Sequence, residues 1–283
     1  MRSGTKPLPL EKGYHIDLGF SLDGQAVTLY AADKGYFDDV EVKNVKFHGM
    51  ACIAGADGSE VVRSLLHDIG NFSVGDNLGN ALYWSCDGGL IEHNLAYSND
   101  YALVWLNPGS GNIVRYNVVR SQRWFANMSG SNNQIYGNLV HGLTSNAMQI
   151  GYDCAPHAAP CSYQNKVHHN TFYNQSGIAL ELGNFWNAEQ NEFINNILHC
   201  SSAGVVPVKV YGSDDLSNII RTNRFVGCGA IQDSGTSTVT SGNTTGDPSF
   251  VDSANENFAL AAGSNAIDAA ELSPIVPEDM VGN

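Results

Sequence analysis

One short pattern that returns along the chain limits what it can fold into. In the stretch LIEHNLAYSNDYALVWL, Leu90 to Leu106, an aliphatic residue, two variable residues and an Asn lead into a second short apolar run. The segments VVRSLL, LIEHNLA, IVRYNVV, QIYGNLV, KVHHNTF, EFINNIL and IIRTNRF place Ser64, Asn94, Asn117, Asn138, Asn170, Asn196 and Asn223 at one equivalent position, with a degraded copy at Asn243. The steps are 30, 23, 21, 32, 26, 27 and 20 residues. A bare repeat of little over twenty residues is too short for most helical repeats and matches one turn of a β-solenoid. Within each copy an apolar residue stands three before and two after the Asn: Val61 and Leu66, Ile91 and Ala96, Val114 and Val119, Ile135 and Val140, Val167 and Phe172, Phe193 and Leu198, Ile220 and Phe225. This spacing predicts two short strands meeting at a corner with those residues inside. Asn suits the corner because it tolerates turn backbone and its amide can bond to the Asn above and below in a stack.

At these residues the chain resembles the right-handed parallel β-helix proteins, from about Phe20 to about Ala270. The closing stretch GDPSFVDSANENFALAAGSNAIDAA, Gly246 to Ala270, also resembles the final segment of many secreted bacterial β-helix proteins. The expected fold is all-β, a right-handed parallel β-helix forming a single-stranded solenoid of about 8–9 coils. The resemblance implies a carbohydrate-active protein. It does not select an activity, because the same solenoid carries uronan lyases, glycoside hydrolases, epimerases, phage tailspikes and non-catalytic surface proteins.

An uninterrupted repeat over most of 283 residues predicts one elongated domain at 20–270, an N-terminal cap at 1–19 and a tail at 271–283. The cap is expected because a terminal coil would otherwise present unpaired strand edges. A formal charge of −14 disfavours nucleic acid, whose binding needs Lys and Arg to neutralise phosphates. No apolar run approaches the length of a membrane span, so no membrane insertion is expected. The opening MRSGTKPLPLEKGYHIDLGF holds no signal-peptide core, so the expectation is a secreted or cell-surface monomer whose leader this sequence does not include. Six cysteines fit an oxidising compartment: Cys154 and Cys161 bracket an insertion and can close it, and Cys200 and Cys228 should approach one another on neighbouring coils. Buried small hydrophobes are the other reading of these cysteines.

Two insertions interrupt the period. HDIGNFSVGDNLGN precedes the strand ALYW, and GYDCAPHAAPCSYQN follows the strand AMQI. If ALYW, ALVW, AMQI and IALEL are stacked copies of one strand, the insertions wall a groove whose floor is that strand's outer face. Alternation puts Leu82 and Trp84, Leu103 and Trp105, Met148 and Ile150, Leu180 and Leu182 inside. The outer column then reads Tyr83, Val104, Gln149 and Glu181, with Lys209 on the same face one coil on.

A polysaccharide lyase needs a base for the proton beside a uronate carboxylate, an acid for the leaving oxygen, and positive charge for the enolate. Lys209 is the expected base, His157 or Tyr152 the acid, and Glu181 a possible calcium ligand; Tyr83, Gln149, Glu181, Asp153 and Trp186 are the expected substrate contacts. Glu181 and Lys209 also read as an exposed ion pair on adjacent coils, worth about 0–1 kcal/mol. Hydrolysis would need two carboxylates about 5–10 Å apart; Asp153 lies too far along the strand from Glu181, and Asp214 and Asp215 read as a turn. Tyr152 to His157 resembles the Tyr-Gly-Phe-Asp-Pro-His signature of uronan epimerases in its Tyr, Pro and His, with the Asp displaced. His168 and His169 read as members of solvated corner ladders beside Glu92, Arg115, His93 and Tyr116. The expected function is a lyase of a uronate-containing extracellular glycan. The alternatives are a non-catalytic glycan-binding or tailspike-like solenoid, a glycoside hydrolase or an epimerase.

Overall fold

The structure, a computed structural model, describes residues 9–10, 15–17, 27–30, 34–53, 55–70, 79–151, 162–184, 187–267 and 269–271. Among these, three parallel sheets of ten, nine and nine strands run the length of a solenoid. Each coil contributes one short strand to each sheet, for example Leu90–Glu92, Leu95–Tyr97 and Val104–Leu106 in one coil, then Ile113–Arg115, Val118–Arg120 and Ala126–Met128 in the next. The all-β parallel β-helix expected from the repeat is therefore the fold. Strand pairing reaches into the first nineteen residues, where Pro9–Leu10 and His15–Asp17 pair with the following coil. Among the described residues no helix is long and apolar enough to cross a membrane.

Every apolar pair flanking the repeat Asn lies in one continuous core, from Val61 and Leu66 to Ile220 and Phe225. Between the first and second sheets the chain turns through one residue of left-handed backbone. Arg63, His93, Tyr116, Gly137, His169, Asn195 and Thr222 take φ between 46° and 65° there. Non-Gly residues enter this region at a cost of roughly 1–2 kcal/mol each, and the residue after each of them supplies the compensation. Asn94, Asn117, Asn138, Asn170, Asn196, Asn223 and Asn243 stack as a ladder in which each amide nitrogen donates to the next side-chain oxygen at 2.9–3.1 Å. That same oxygen also accepts the preceding ladder residue's backbone N–H.

A second ladder of the same construction stands between the third and first sheets. Asn112, Asn133, Asn165, Asn191 and Asn218 bond in sequence, each five residues before a member of the first ladder. Gly89 takes the equivalent place one coil earlier and gives its N–H to Asn112; a Cβ there would meet the Trp84 indole nitrogen at 2.7 Å. Among the described residues the third corner is less regular, with Asn99 and Gln122 the two side chains bonded to one another across a coil step. Disulfides staple neighbouring coils at Cys52–Cys86 and Cys200–Cys228. The second matches the approach expected from sequence, the first was not anticipated, and Cys154 and Cys161 lie outside the described residues.

The C-terminal segment folds back as an antiparallel pair, Phe250–Asp252 with Asn257–Leu260. It lies on the outer face of the second sheet, where Phe250 and Phe258 pack on Tyr173, and Phe258 on His141. Arg120 pairs with Glu256 at 2.9 Å, Arg224 binds the Asn265 side chain and carbonyl, and Arg221 pairs with Glu271.

The ladder explains a stability prediction. Asn170→Ala strips partners from the Ile135 and His168 carbonyls, from the Asn196 oxygen and from the Asn138 amide groups. Orphaned buried groups of this kind cost about 1–3 kcal/mol each before relaxation, so the expected loss is about 2–4 kcal/mol in urea denaturation. Asn243→Ala, at the part-buried end of the stack, should lose about a third as much, and equal losses at the two sites would contradict the ladder's role.

Candidate functional site

The first sheet's outer face is filled by its own side chains. Glu92 pairs with Arg115 at 2.6 Å, Arg115 donates to the Tyr136 hydroxyl at 3.0 Å, and Tyr136 stacks on His168. These are the columns read from sequence, but His168 is buried rather than solvated, because the Tyr136 ring lies flat against it at 4.9 Å. The second sheet's face is taken by the C-terminal segment, and the third sheet's outer face carries its own row of aromatic, polar and charged side chains; buried side-chain atoms without a partner occur there and also at His168 and His199 on the other two sheets.

The third sheet's outer column is set by strand register: Thr28, Ala51, Tyr83, Trp105, Asn127, Gln149, Glu181, Lys209 and Gln232 are successive partners. The flanking residues on either side, such as Val104 and Leu106 or Met148 and Ile150, belong to the core. Tyr83, Gln149, Glu181 and Lys209 thus share one column, as expected. The expected Val104 does not: it is buried inside, and Trp105 takes the outward place. Aligning ALVW with ALYW is one residue out, because Val104–Trp105–Leu106 is the true partner of Leu82–Tyr83–Trp84. A one-residue slip exchanges the two faces of a strand. Leu103 stays buried in the corner before the strand. Asn127 was missed altogether because its strand, ANM, has a small and a polar residue where the pattern was sought.

The column is graded. At one end His48 stacks on Tyr83 at 4.9 Å, and Tyr83 meets Trp105 edge-on at 5.4 Å. In the middle Asn127, 0% exposed, has neither amide atom hydrogen-bonded among the described residues, and Gln149, 1% exposed, has its amide nitrogen in the same state. At the other end Glu181, 2% exposed, accepts a short hydrogen bond from the Tyr211 hydroxyl, and the Lys209 ammonium lies 4.1 Å from the centre of the Tyr211 ring. Burial, then the bond to Glu181, raises the Tyr211 phenol well above its ordinary range, so it keeps its proton at neutral pH. Tyr211 carried no sequence signal, since it lies just past the strand and outside the repeat.

Tyr152, Asp153, His157 and Trp186 lie outside the described residues, as do most residues of the two insertions. Trp124 packs on Tyr101 at the third corner and covers a hydrophobic edge there. Asp215 is a turn residue, as expected, accepting from the Ala188 and Gly212 N–H groups at 2.8 and 2.9 Å. Burial raises its carboxyl. It fits against Gly183, whose φ of +72° and missing Cβ leave it room. As a calcium ligand Glu181 has one carboxylate and nearby amides beside an ammonium, a poor match to the six to eight oxygens that calcium takes. Among the described residues no three His, Cys, Asp or Glu side chains gather as a metal site.

Residues 41–225 match the family described as right handed beta helix region. The chain belongs to this family. No curated protein matches this β-helix chain in sequence. Among solved structures it is similar to a double mutant of the tailspike protein of E. coli bacteriophage HK620 in complex with pentasaccharide. That match has a TM-score of 0.62 at 13% identity over 79% of this chain and 44% of that one. A periplasmic alginate epimerase, AlgG, aligns with a TM-score of 0.53 at 12% identity over 78% of this chain and 48% of that one. The β-helix here therefore spans about half or less of the solved chains it resembles, and at these identities the likeness is one of fold.

The buried imidazoles make acid a test of the structure. Burial pushes His48 down to about 4. His168, also lowered by His169 and Lys166, falls to about 3. An unfolded His titrates near ~6.5, so between those values the unfolded chain binds protons that the folded chain excludes. Stability should be full above that unfolded value and fall as pH drops toward the folded values, with His48 alone contributing about 3 kcal/mol of loss by pH 4. Urea midpoints measured from pH 7 to pH 4 read this slope. His48→Phe, which keeps a ring on Tyr83, should flatten it, and an unchanged slope would remove His48 as a cause.

Proposed function

We propose that this β-helix acts on an extracellular uronate-containing polysaccharide by β-elimination, with the outer column of the third sheet as its floor. The observation that carries the reading is the constellation of Glu181, Tyr211 and Lys209, a carboxylate, a phenol that keeps its proton and an ammonium brought together within one coil step. Solved structures that share the fold include a tailspike bound to a pentasaccharide and an alginate epimerase. The disulfides Cys52–Cys86 and Cys200–Cys228 support an oxidising, extracytoplasmic setting.

In the proposed step Lys209 pairs with the uronate carboxylate. The position of its ammonium over the Tyr211 ring suits this role better than that of the base expected from sequence. Glu181 takes the C5 proton, the C5–H electrons form the C4=C5 double bond, and the C4–O bond breaks. Tyr211 gives its proton to the leaving oxygen. The proton on Glu181 then returns to the Tyr211 oxygen along the hydrogen bond that already joins them, which restores both groups. General acid–base pairs of this sort contribute about 10²–10⁴-fold each.

A second reading, glycan binding without cleavage, is supported by the fact that Glu181 and Lys209 each already engage Tyr211. The two separate in one assay. Absorbance near 235 nm follows the unsaturated product on a panel of alginate, pectate, glycosaminoglycans and ulvan, with and without calcium. We expect a rise that Lys209→Ala and Glu181→Gln abolish and that Tyr211→Phe slows by about 10²–10⁴-fold. A flat trace with no new reducing ends would leave binding as the function. C5 hydrogen exchange into D₂O without absorbance would mark epimerisation instead.

A further inference from the structure

The rod ends in an open coil. Between Gly229 and Gly246 the chain adds Gln232–Asp233 to the third sheet and Val239–Ser241 to the first, each as the outermost strand at that end. Val239, Thr240 and Ser241 are all exposed, Val239 at 48%, so a partner can reach this edge. Its backbone bonds run to one side. Val239 gives its N–H to the Asn218 carbonyl, and the Ser241 carbonyl accepts from Thr222, both toward the preceding coil. Alternation along the strand then points the Thr240 N–H and carbonyl off the end of the rod. The Asn ladder is cut at the same place. Each interior rung gives its backbone N–H and an amide proton to the next Asn oxygen, as Asn196 does to Asn223. Asn243 is the last rung, with its amide bonded back to the Ile220 carbonyl, and among the described residues no rung stands ahead of it.

An edge of this kind pairs with other strands unless charge, proline or a bulge blunts it. From Gly229 to Gly246 there is no proline and one charged residue, Asp233, whose carboxylate accepts the Gly235 N–H. Thr236, Thr238, Val239 and Thr240 are instead β-branched residues that favour strands. The first sheet's opposite edge differs: its outermost described strand is Pro9–Leu10, and Pro9 has no N–H to give. Head-to-tail stacking would set the open edge against that proline. Two copies of a chain at −14 repel one another, and they do so least where each presents an uncharged coil. Antiparallel pairing across a twofold axis also lets Thr240 exchange both of its free backbone bonds with Thr240 of the other copy.

We infer that two copies of this chain join end to end through the last coil, with their Val239–Ser241 strands antiparallel about Thr240. The contact uses the same surface on both copies, so it closes at two. This dimer replaces the monomer expected from sequence.

The end of one rod is a small interface, so association belongs to the weak class and is followed by sedimentation velocity on the full chain from low to high micromolar concentration, with small-angle scattering at the highest. We expect a species of twice the chain mass whose maximum dimension is close to double that of the monomer. Val239→Lys, which brings two cations to the junction, and Thr240→Pro, which removes an N–H that faces off the rod, should each weaken dimerisation at least tenfold and leave the melting temperature of the dilute monomer unchanged. Val251→Lys, at an exposed apolar residue of the returning segment, should leave dimerisation as it was. A chain that stays monomeric throughout, a dimer no longer than one rod, masses that grow past two copies, Val239→Lys dimerising like the unaltered chain, or dimerisation lost in Val251→Lys would each overturn the inference.

Discussion

The buried asparagine ladder is the interaction on which the rest of this structure depends. Each coil must turn sharply between strands of two to five residues, and it does so by placing single residues in left-handed backbone, including bulky ones such as Tyr116 and His169. That geometry leaves backbone N–H and carbonyl groups pointing along the rod with no strand partner. In most coils one amide side chain satisfies them and hands the same task to the next, and Ser64 takes that place one coil earlier, its N–H donating to Asn94 and its hydroxyl accepting from the Val40 N–H. With two corners locked this way, three sheets form at fixed angles and enclose a core one side chain deep. Burying each Val, Leu or Phe of that core contributes about 1.5–3 kcal/mol, but the ladders decide where those residues point.

Three sheets give three outer faces, and the protein treats them differently. The first is closed by its own ion pairs and stacked rings, from Glu92 and Arg115 to Tyr136 and His168. The second is occupied over several coils by the returning C-terminal segment, held by an aromatic cluster on Tyr173 and by Arg120, Arg221 and Arg224. On the third, a column of aromatic, amide and charged side chains runs along the rod, and it includes the Asn127 amide, which makes no side-chain hydrogen bond among the described residues.

The first ladder and its flanking columns were legible because identity and spacing repeat together: an Asn with apolar residues at −3 and +2 can be aligned without knowing the fold. The second ladder was equally open to reading, since Asn112, Asn133, Asn165, Asn191 and Asn218 all stand five residues before a ladder Asn. The residues three before its members, Gly109, Gly130, Ser162, Ala188 and Asp215, share no apolar signature that would mark it. The third sheet resisted for a physical reason. Its strands follow the least regular corner, where Asn99 and Gln122 replace a continuous ladder, so the number of residues entering the strand varies from coil to coil. Leu103 imitates the first strand residue because Ala102-Leu103 repeats Ala81-Leu82, while Val104, ten residues after Asn94 as Met148 is after Asn138, is the real one.

By itself the sequence determined the solenoid, its approximate coil count, the corner that carries the Asn and the core residues flanking that Asn, because those depend on local identity at a fixed period. It also brought Gln149, Glu181 and Lys209 to one column, since strand alternation transfers from coil to coil. Only the tertiary structure decided that Trp105 and Asn127 complete that column, that Tyr211 joins Glu181 to Lys209, and that the chain's own end covers the second sheet. Those facts depend on register between strands some twenty to thirty residues apart and on contacts spanning up to 136 residues, as between Arg120 and Glu256. No local pattern encodes them, because the residues that meet were never neighbours in the chain.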